Sequence, residues 1–347
     1  MSKIDIKSMT LEEIKNEVIK LQLPAYRAKQ IYSWLQHKGV TDFEHMTNLS
    51  NDLRQKLNEK FFISNTNIEK RLASNIDNTV KYLYVLNDGK YIESVLMQYH
   101  HGYSMCISTQ AGCKMNCSFC ATGKGGFERN LLPSEMLSQI QTAQIDNNIR
   151  ISNVVLMGMG EPLDNYDNVL RFLKLVSSED GMNIGMRHIS LSTCGIVDKI
   201  YDLMQEKLQL TLSISLHAPN DEIRNKLMPI NKKWGINSLL KACKEYIEHT
   251  GRRISFEYAM INGVNDSIQC ANELASRLHG MICHVNLIPV NSIENGQYQK
   301  SSKEHLYKFI EILEKNGITA TIRRTLGSDI AASCGQLKGK HTKEVHN

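Results

Sequence analysis

At 347 residues, 41% hydrophobic and 22% charged, the chain has the length for one large domain plus a smaller one and the composition of a soluble globular protein. A net charge of +5 and a pI of about 8.6 are compatible with a nucleic-acid partner without requiring one. No apolar run approaches the roughly 20 residues of a membrane span, and the charged start MSKIDIKSMTLEEIK lacks the apolar stretch of a signal peptide. A cytoplasmic protein is therefore expected. Its nine cysteines are read as ligands, catalysts or buried small side chains, not as a disulfide framework.

Residues 1–62 read as a small helical domain. Thr10 with Glu13 forms a capping box, and Leu11, Ile14, Val18 and Leu21 follow at helical spacing. Pro24 can start a second helix whose stripe is Ala28, Ile31, Trp34 and Leu35, ending near Gly39. A third helix is expected near 49–61. This domain is either a bundle packed on the main domain or a substrate-docking module. Residues 63–100 read as a β-hairpin extension, with the period changing to two from about 66 to 100. Strands are expected at 80–86 and 91–97, and Asn87-Asp88-Gly89-Lys90 predicts a type I′ hairpin turn between them.

From residue 101 to 337 strands and helices alternate. Strands are predicted at 105–109, 153–158, 188–193, 210–216, 253–261, 283–290 and 319–323. Helices are predicted near 134–147, 166–178, 197–206, 236–249, 267–279 and 303–316. Apolar strands alternating with helices mean an α/β fold with a parallel sheet, and this number of units suggests a complete or partial (β/α)6 TIM-like barrel. In such barrels chemistry gathers at the C-terminal ends of the strands. Residues 338–347 read as a basic, solvated tail.

One loop dominates the chemistry. Cys113, Cys117 and Cys120 stand at C-x₃-C-x₂-C spacing, with Gly112 before them and Thr122-Gly123-Lys124-Gly125-Gly126 after. Thiolates select iron–sulfur clusters, zinc or Cu(I). A structural zinc site wants four closed ligands, whereas a 4Fe–4S cluster held by three thiolates keeps one iron open to a small molecule. The alternative is a partial zinc site or a chance grouping. Polar strand ends strengthen the functional reading. Met157-Gly158-Met159-Gly160-Glu161-Pro162 offers close backbone approach and a carboxylate acceptor for an ammonium group. Ser192, Ser215 with Leu216 and His217, and Asn291 suit a ribose and a carboxylate. Each alone is an ordinary strand end; their shared location raises their weight. Cys194, Cys243, Cys270 and Cys283 are read as packing residues.

The cysteine loop, with Phe119 before its last thiol, resembles the radical S-adenosylmethionine motif. More of the chain resembles the RlmN/Cfr family of radical SAM RNA adenine methyltransferases. The resemblance rests on Cys106-Ile107-Ser108, Gly158-Met159-Gly160-Glu161-Pro162, Ser192-Thr193, Ser215-Leu216-His217-Ala218-Pro219-Asn220-Asp221-Glu222, Pro229-Ile230-Asn231-Lys232, Gly263-Val264-Asn265-Asp266, Asn286-Leu287-Ile288-Pro289 and Ala332-Ser333-Cys334-Gly335-Gln336-Leu337. Ser333 and Cys194 depart from the usual pattern. Pro162 resembles the RlmN branch and Thr122-Gly123 the Cfr branch; RlmN is favoured.

The resemblance implies a radical SAM barrel, with 1–62 as an accessory RNA-docking domain and 63–100 as a β-hairpin extension. It implies one 4Fe–4S cluster on Cys113, Cys117 and Cys120. Two S-adenosylmethionine molecules are used per turnover, contacted by Gly160, Glu161, Ser192, Ser215, Leu216, His217 and Asn291. Cys334 would carry the methyl, Cys106 would resolve the protein–RNA adduct by forming a disulfide, and Glu93 would accept a proton. The implied substrates are carbon 2 of an adenine in 23S rRNA near the peptidyl transferase centre and of the adenosine 3′ of the anticodon in tRNAs; Cfr-type chemistry would target carbon 8 of the rRNA adenine. Lys124 and Arg129 are candidate RNA contacts. An external one-electron donor such as flavodoxin or ferredoxin and a monomeric state are expected. The rivals are a radical SAM enzyme acting on a non-RNA substrate, which needs no Cys334, and a non-catalytic metal-binding module, which needs none of the polar strand ends.

Overall fold

The computed structural model describes residues 3–291 and 298–338; the tail expected at 338–347 lies, apart from Lys338, outside the described residues. The N-terminal module is closed by a short parallel pair, β1 (Ile4–Asp5) and β2 (Phe61–Phe62). α1 (Leu11–Lys20) starts at Thr10. The Thr10 hydroxyl accepts the Glu13 N–H while the Glu13 carboxylate accepts the Thr10 N–H, so two otherwise orphaned donors are satisfied. α2 (Tyr26–Gln36) buries Ala28, Ile31 and Leu35, and α3 (Asn51–Lys60) is capped by Ser50. These faces meet in a core of their own with Phe43, Leu53 and Phe61. Polar contacts fix the module to the main domain. Lys7 Nζ, buried, donates to Ser138 Oγ at 2.6 Å, Gln141 Nε2 donates to the Leu35 and Gln36 carbonyls, and Arg171 pairs with Glu13 at 2.8 Å.

The main domain is one ten-stranded sheet. Three antiparallel strands lead into it: β3 (Thr66–Ala73), β4 (Val80–Leu86) and β5 (Tyr91–Tyr99). β6 (Gly102–Cys106) pairs antiparallel with β5 and parallel with β9. A side ribbon of β7 (Gln110–Gly112) and β8 (Phe127–Asn130) encloses the short helix α4 (Ala121–Lys124). The parallel alternation follows: α5 (Pro133–Asn147), β9 (Ile151–Leu156), α6 (Tyr166–Val176), β10 (Ile189–Thr193), α7 (Val197–Gln205), β11 (Thr211–Ser215), α8 (Asp221–Leu227), α9 (Ile236–Thr250), β12 (Ile254–Met260), α10 (Ile268–Leu278), β13 (Cys283–Pro289), α11 (Lys303–Lys315) and β14 (Thr319–Ile322). Among the described residues the strand order β6-β9-β10-β11-β12-β13-β14 runs without closing, so the barrel is partial. Short polar loops and parallel pairing place the C-terminal ends of these strands at one rim.

Three expectations are corrected. The first barrel strand ends at Cys106, earlier than the predicted 109. Beyond it Thr109 N–H turns to the Met159 carbonyl and Gln110 joins the β7–β8 ribbon. β3 went unread because a bulge between Ile68 and Lys70 breaks its alternation and its outer face is charged. The 87–90 turn is not type I′. Only Gly89 has a positive φ, +79°, and its N–H bonds the Leu86 carbonyl, while the Asp88 carboxylate accepts from Lys90 N–H and Arg129. That is a type I turn with glycine at the left-handed position.

Candidate active site

The cysteine loop is shaped by its glycines. Gly112 has φ +77°, and a Cβ there would lie 2.0 Å from the Gly126 carbonyl oxygen, which accepts the Cys113 N–H at 2.7 Å. No other residue fits that approach. Asn116 adopts the left-handed conformation, Cys120 N–H bonds the Cys117 carbonyl, and Ser118 N–H ties the loop to the Leu227 carbonyl at the end of α8. All three thiols line one cavity. Burial pushes Cys113 up to about 12 and Cys117 higher still, with the neighbouring thiols adding to the effect. Bare Cys113 and Cys117 are thus protonated, and bound cations would draw them into the thiolate form.

The donor set fits an iron–sulfur cluster. Among the described residues no three Cys, His, Asp or Glu side chains converge as a single ion requires. Thiolates that each hold a different iron need no common point, and three of them leave one iron open.

The rim residues gather on the same cavity. Gly160, Glu161, Ser192, Ser215, His217 and Asn291 line it, with Ser192 Oγ and Ser215 Oγ 3.4 Å apart. Gly160 has φ +100°, and a Cβ would meet Gln110 at 2.6 Å. Glu161 is buried; its two oxygens accept the Leu163 N–H at 3.0 Å and the Cys194 N–H at 2.7 Å. The Thr193 and Cys194 side chains add further hydrogen bonds, so the carboxylate is firmly placed at the rim. His217 sits at φ +56°, and its Nδ1 accepts the Ala259 N–H at 2.9 Å. Burial, reinforced by Arg224, pushes its imidazole down to about 3. The ring is therefore neutral, with its proton on Nε2, so it is a hydrogen-bond donor and not a base. Leu216 is the exception: it is absent from the lining and fully buried, and it contributes only backbone.

Cys106 and Cys334 also line this cavity, although 228 positions separate them in the chain. Cys334 is solvent-accessible within it; Cys106 is buried. Burial pushes Cys106 up to about 12; Cys334, open to the cavity yet ringed by protein, is raised by the loss of surrounding water, and the Arg323 guanidinium opposes both shifts. Glu93 stands apart. It shares a strand face with the lining residues Val95, Met97 and Tyr99, but its carboxylate is buried, pairs with Lys81 Nζ at 2.8 Å and accepts the Lys338 N–H. It is not the exposed strand carboxylate that alternation alone would suggest.

Two family models match the chain: the radical SAM superfamily over residues 107–270 and the ribosomal RNA large subunit methyltransferase N-terminal domain over 4–63. The chain is 52% identical, over 98% of its length and 99% of the relative's, to a probable dual-specificity RNA methyltransferase RlmN of Alkaliphilus oremlandii. The chain belongs to the RlmN family. A relative of the same description from Lachnoclostridium phytofermentans is also 52% identical, over 99% of this chain and 96% of its own. The crystal structure of a radical SAM methyltransferase from Sphaerobacter thermophilus superposes with a TM-score of 0.92 at 40% identity, covering 97% of this chain and all of that one. Radical SAM chemistry draws on an iron–sulfur cluster and S-adenosylmethionine, and the RlmN family acts on RNA. No helix among the described residues is long and apolar enough to cross a membrane.

Several residues of this RlmN-family site were not legible beforehand. Arg224 is fully buried. Its guanidinium donates to the carbonyls of Cys194 at 2.7 Å, Ser215 at 3.1 Å and Leu216 at 3.0 Å, and to Asn231 Oδ1 at 2.8 Å. It caps two strand ends that the parallel ladder leaves open. Glu257 and Arg323 line the cavity 3.7 Å apart, and Cys194, read as packing, lines it too. Arg129 is corrected: its guanidinium is engaged by Asp88 and Glu135, tying a hairpin turn to α5, so it is not available for RNA. Lys124 is exposed. Nothing in the hydrophobic pattern marks such a buried arginine or ion pair, because its partners are mostly backbone carbonyls or residues on other elements.

Proposed function

We propose that this chain methylates carbon 2 of an adenine, in 23S rRNA near the peptidyl transferase centre and in tRNAs at the adenosine 3′ of the anticodon, with the methyl carried on Cys334. The observation that supports this is the shared cavity: the three-cysteine loop, the polar strand ends, Cys106 and Cys334 all line it. Carbon 2 lies between two ring nitrogens and is electron-poor, so it cannot attack a sulfonium methyl; the methyl has to arrive as a carbon radical. A 4Fe–4S cluster held by Cys113, Cys117 and Cys120 supplies, with S-adenosylmethionine, the electron and the radical that this requires. Gly160, Glu161, Ser192, Ser215, His217 and Asn291 orient the adenosyl and methionyl groups.

Cys334 takes its methyl as a thiolate. The new sulfur–carbon bond forms as the sulfonium bond breaks, and the thiol proton leaves to solvent. Arg323 stabilises the negative sulfur. One hydrogen atom of the Cys334 methyl would pass to the deoxyadenosyl radical, giving 5′-deoxyadenosine, and the remaining methylene carbon bonds carbon 2; Glu93 then accepts the proton lost from carbon 2, and the one unpaired electron of the adduct would return to the cluster that supplied it. Cys106 then attacks the Cys334 sulfur. The S–S bond forms, the S–CH₂ bond breaks, and its electron pair goes to the departing carbon, which takes up a proton to become the methyl. A dithiol reductant restores both thiols. Two S-adenosylmethionine molecules are consumed per turnover, one for Cys334 and one for the radical. The chain works as a monomer in the cytoplasm, with electrons from a donor such as flavodoxin or ferredoxin.

Mass spectrometry of rRNA and tRNA digests, from cells with and without the gene, tests this reading. Loss of 2-methyladenosine from both RNAs on deletion is expected. Methylation at carbon 8 would overturn the regiochemistry, and an unchanged adenosine pattern would overturn the activity.

A further inference from the structure

The segment that carries Cys334 belongs to no strand and contains only a three-residue helical turn, Ser328–Ile330. Its position is set by contacts from two sides. On one side Ala121 N–H donates to the Gly335 carbonyl at 2.8 Å and Thr122 Oγ1 to the Leu337 carbonyl at 2.7 Å. On the other stand β4 and β5. Their register pairs Lys81 with Val95 and Leu83 with Glu93, so Lys81 and Glu93 are diagonal neighbours on the cavity-facing side. Lys81 Nζ bonds Glu93 at 2.8 Å and also donates to the Ala331 carbonyl at 3.2 Å. The other Glu93 oxygen accepts the Lys338 N–H.

One buried ion pair therefore grips the segment on both flanks of Cys334. Ala331 is held at φ +50°, a conformation that costs a residue with a Cβ roughly 1 kcal/mol. Burying the pair is itself unfavourable against an apolar substitute. Stability gives little reason for either feature, whereas the location of a thiol gives one.

We propose that Lys81 is a positioning residue for Cys334: with Glu93 it sets the register of residues 331–338, and so the reach of the Cys334 thiol toward Cys106. This rests on the two-thiol reading above. The ammonium is suited to the task because one nitrogen can serve both a carboxylate and a carbonyl.

The test uses the full-length holoprotein, purified without oxygen and exposed to glutathione disulfide. Formation of the Cys106–Cys334 disulfide is followed by differential alkylation and mass spectrometry, beside hydrogen exchange over 327–338. The wild-type chain forms the disulfide; Lys81→Met forms it at least about tenfold more slowly, because small misplacements of reacting atoms cost large factors, and exchanges faster over 327–338. Lys81→Arg restores the rate, and cluster absorbance stays at its wild-type value in all variants; Tm falls for Lys81→Met, because the buried Glu93 carboxylate loses its partner, while exchange outside 327–338 stays at the wild-type rate. Should Lys81→Met unfold, Lys81→Gln replaces it with the same expectation. Disulfide formation at the wild-type rate without Lys81 overturns the proposal, as does a Lys81→Arg defect equal to that of Lys81→Met. No Cys106–Cys334 disulfide in the wild-type chain overturns instead the two-thiol reading beneath it.

Discussion

On one side of the cavity the ends of β10 and β11 are held by Arg224, Asn231 and a buried Glu161, each with its hydrogen bonds satisfied by backbone or by one another. On the other side the segment around Cys334, outside any strand, is held by hydrogen bonds to Lys81, Glu93, Ala121, Thr122 and Asn291 and, further back, from Ser74 and Asn75 to Asp329. The first wall is rigid in the way a small-molecule site requires, since a fully satisfied buried network has one arrangement. The second has no ladder behind it, so its place rests on side-chain and loop contacts. A carrier thiol has to meet a methyl donor, a nucleobase and a second thiol in turn, so a looser mounting suits it.

Removing the carrier thiol gives the largest effect. Cys334→Ala is expected to abolish methyl transfer to RNA while iron and sulfide content stay at wild-type levels; normal methylation by this variant would remove the thiol from the reaction. Cys106→Ala is expected to stall one step later, with RNA covalently attached to the protein and visible as a shifted band in denaturing gels.

The rigid wall is tested next. Arg224→Met strands three buried carbonyls, each worth roughly 1–3 kcal/mol, and should lower unfolding stability by several kcal/mol, measured with urea. Cys334→Ala by itself should show no such loss, which separates scaffold from carrier. The smallest effect is a pH dependence. His217, pushed down to about 3 in the fold, stays neutral there, whereas the unfolded chain takes up its proton near 6.5. Stability from this group is complete above 6.5. It declines by about 1.4 kcal/mol per pH unit as pH falls from there toward 3. Urea unfolding at pH 7 and pH 5 should show this slope, and His217→Gln should reduce it.

Much of this was readable from residue order because local rules and global fold agree. Thr10 and Glu13 announced a helix start, the alternation of strands and helices gave the partial barrel, and glycines marked where backbone passes close. Other features were invisible for an equally physical reason. The Arg224 cap reaches back over a strand end to Leu216, Ser215 and Cys194, and the Lys81–Glu93 grip holds Ala331 and Lys338, 250 and 245 positions away; no periodicity records such meetings. Asp88-Gly89 misled because the Asp88 carboxylate is drawn to Arg129, a partner 41 residues away that turn statistics cannot include. Leu216 misled in the opposite sense: it stands inside a binding motif, yet serves it only through its main chain.

The open sheet has one more effect, on how the protein keeps to itself. A barrel that does not close exposes an edge, and β3 ends the row of strands here. Unpaired strand edges recruit other strands and seed aggregates. β3 counters this with its bulge and with Glu69, Lys70 and Arg71 in succession, so the same irregularity that hid the strand from pattern reading also discourages a second molecule from extending the sheet.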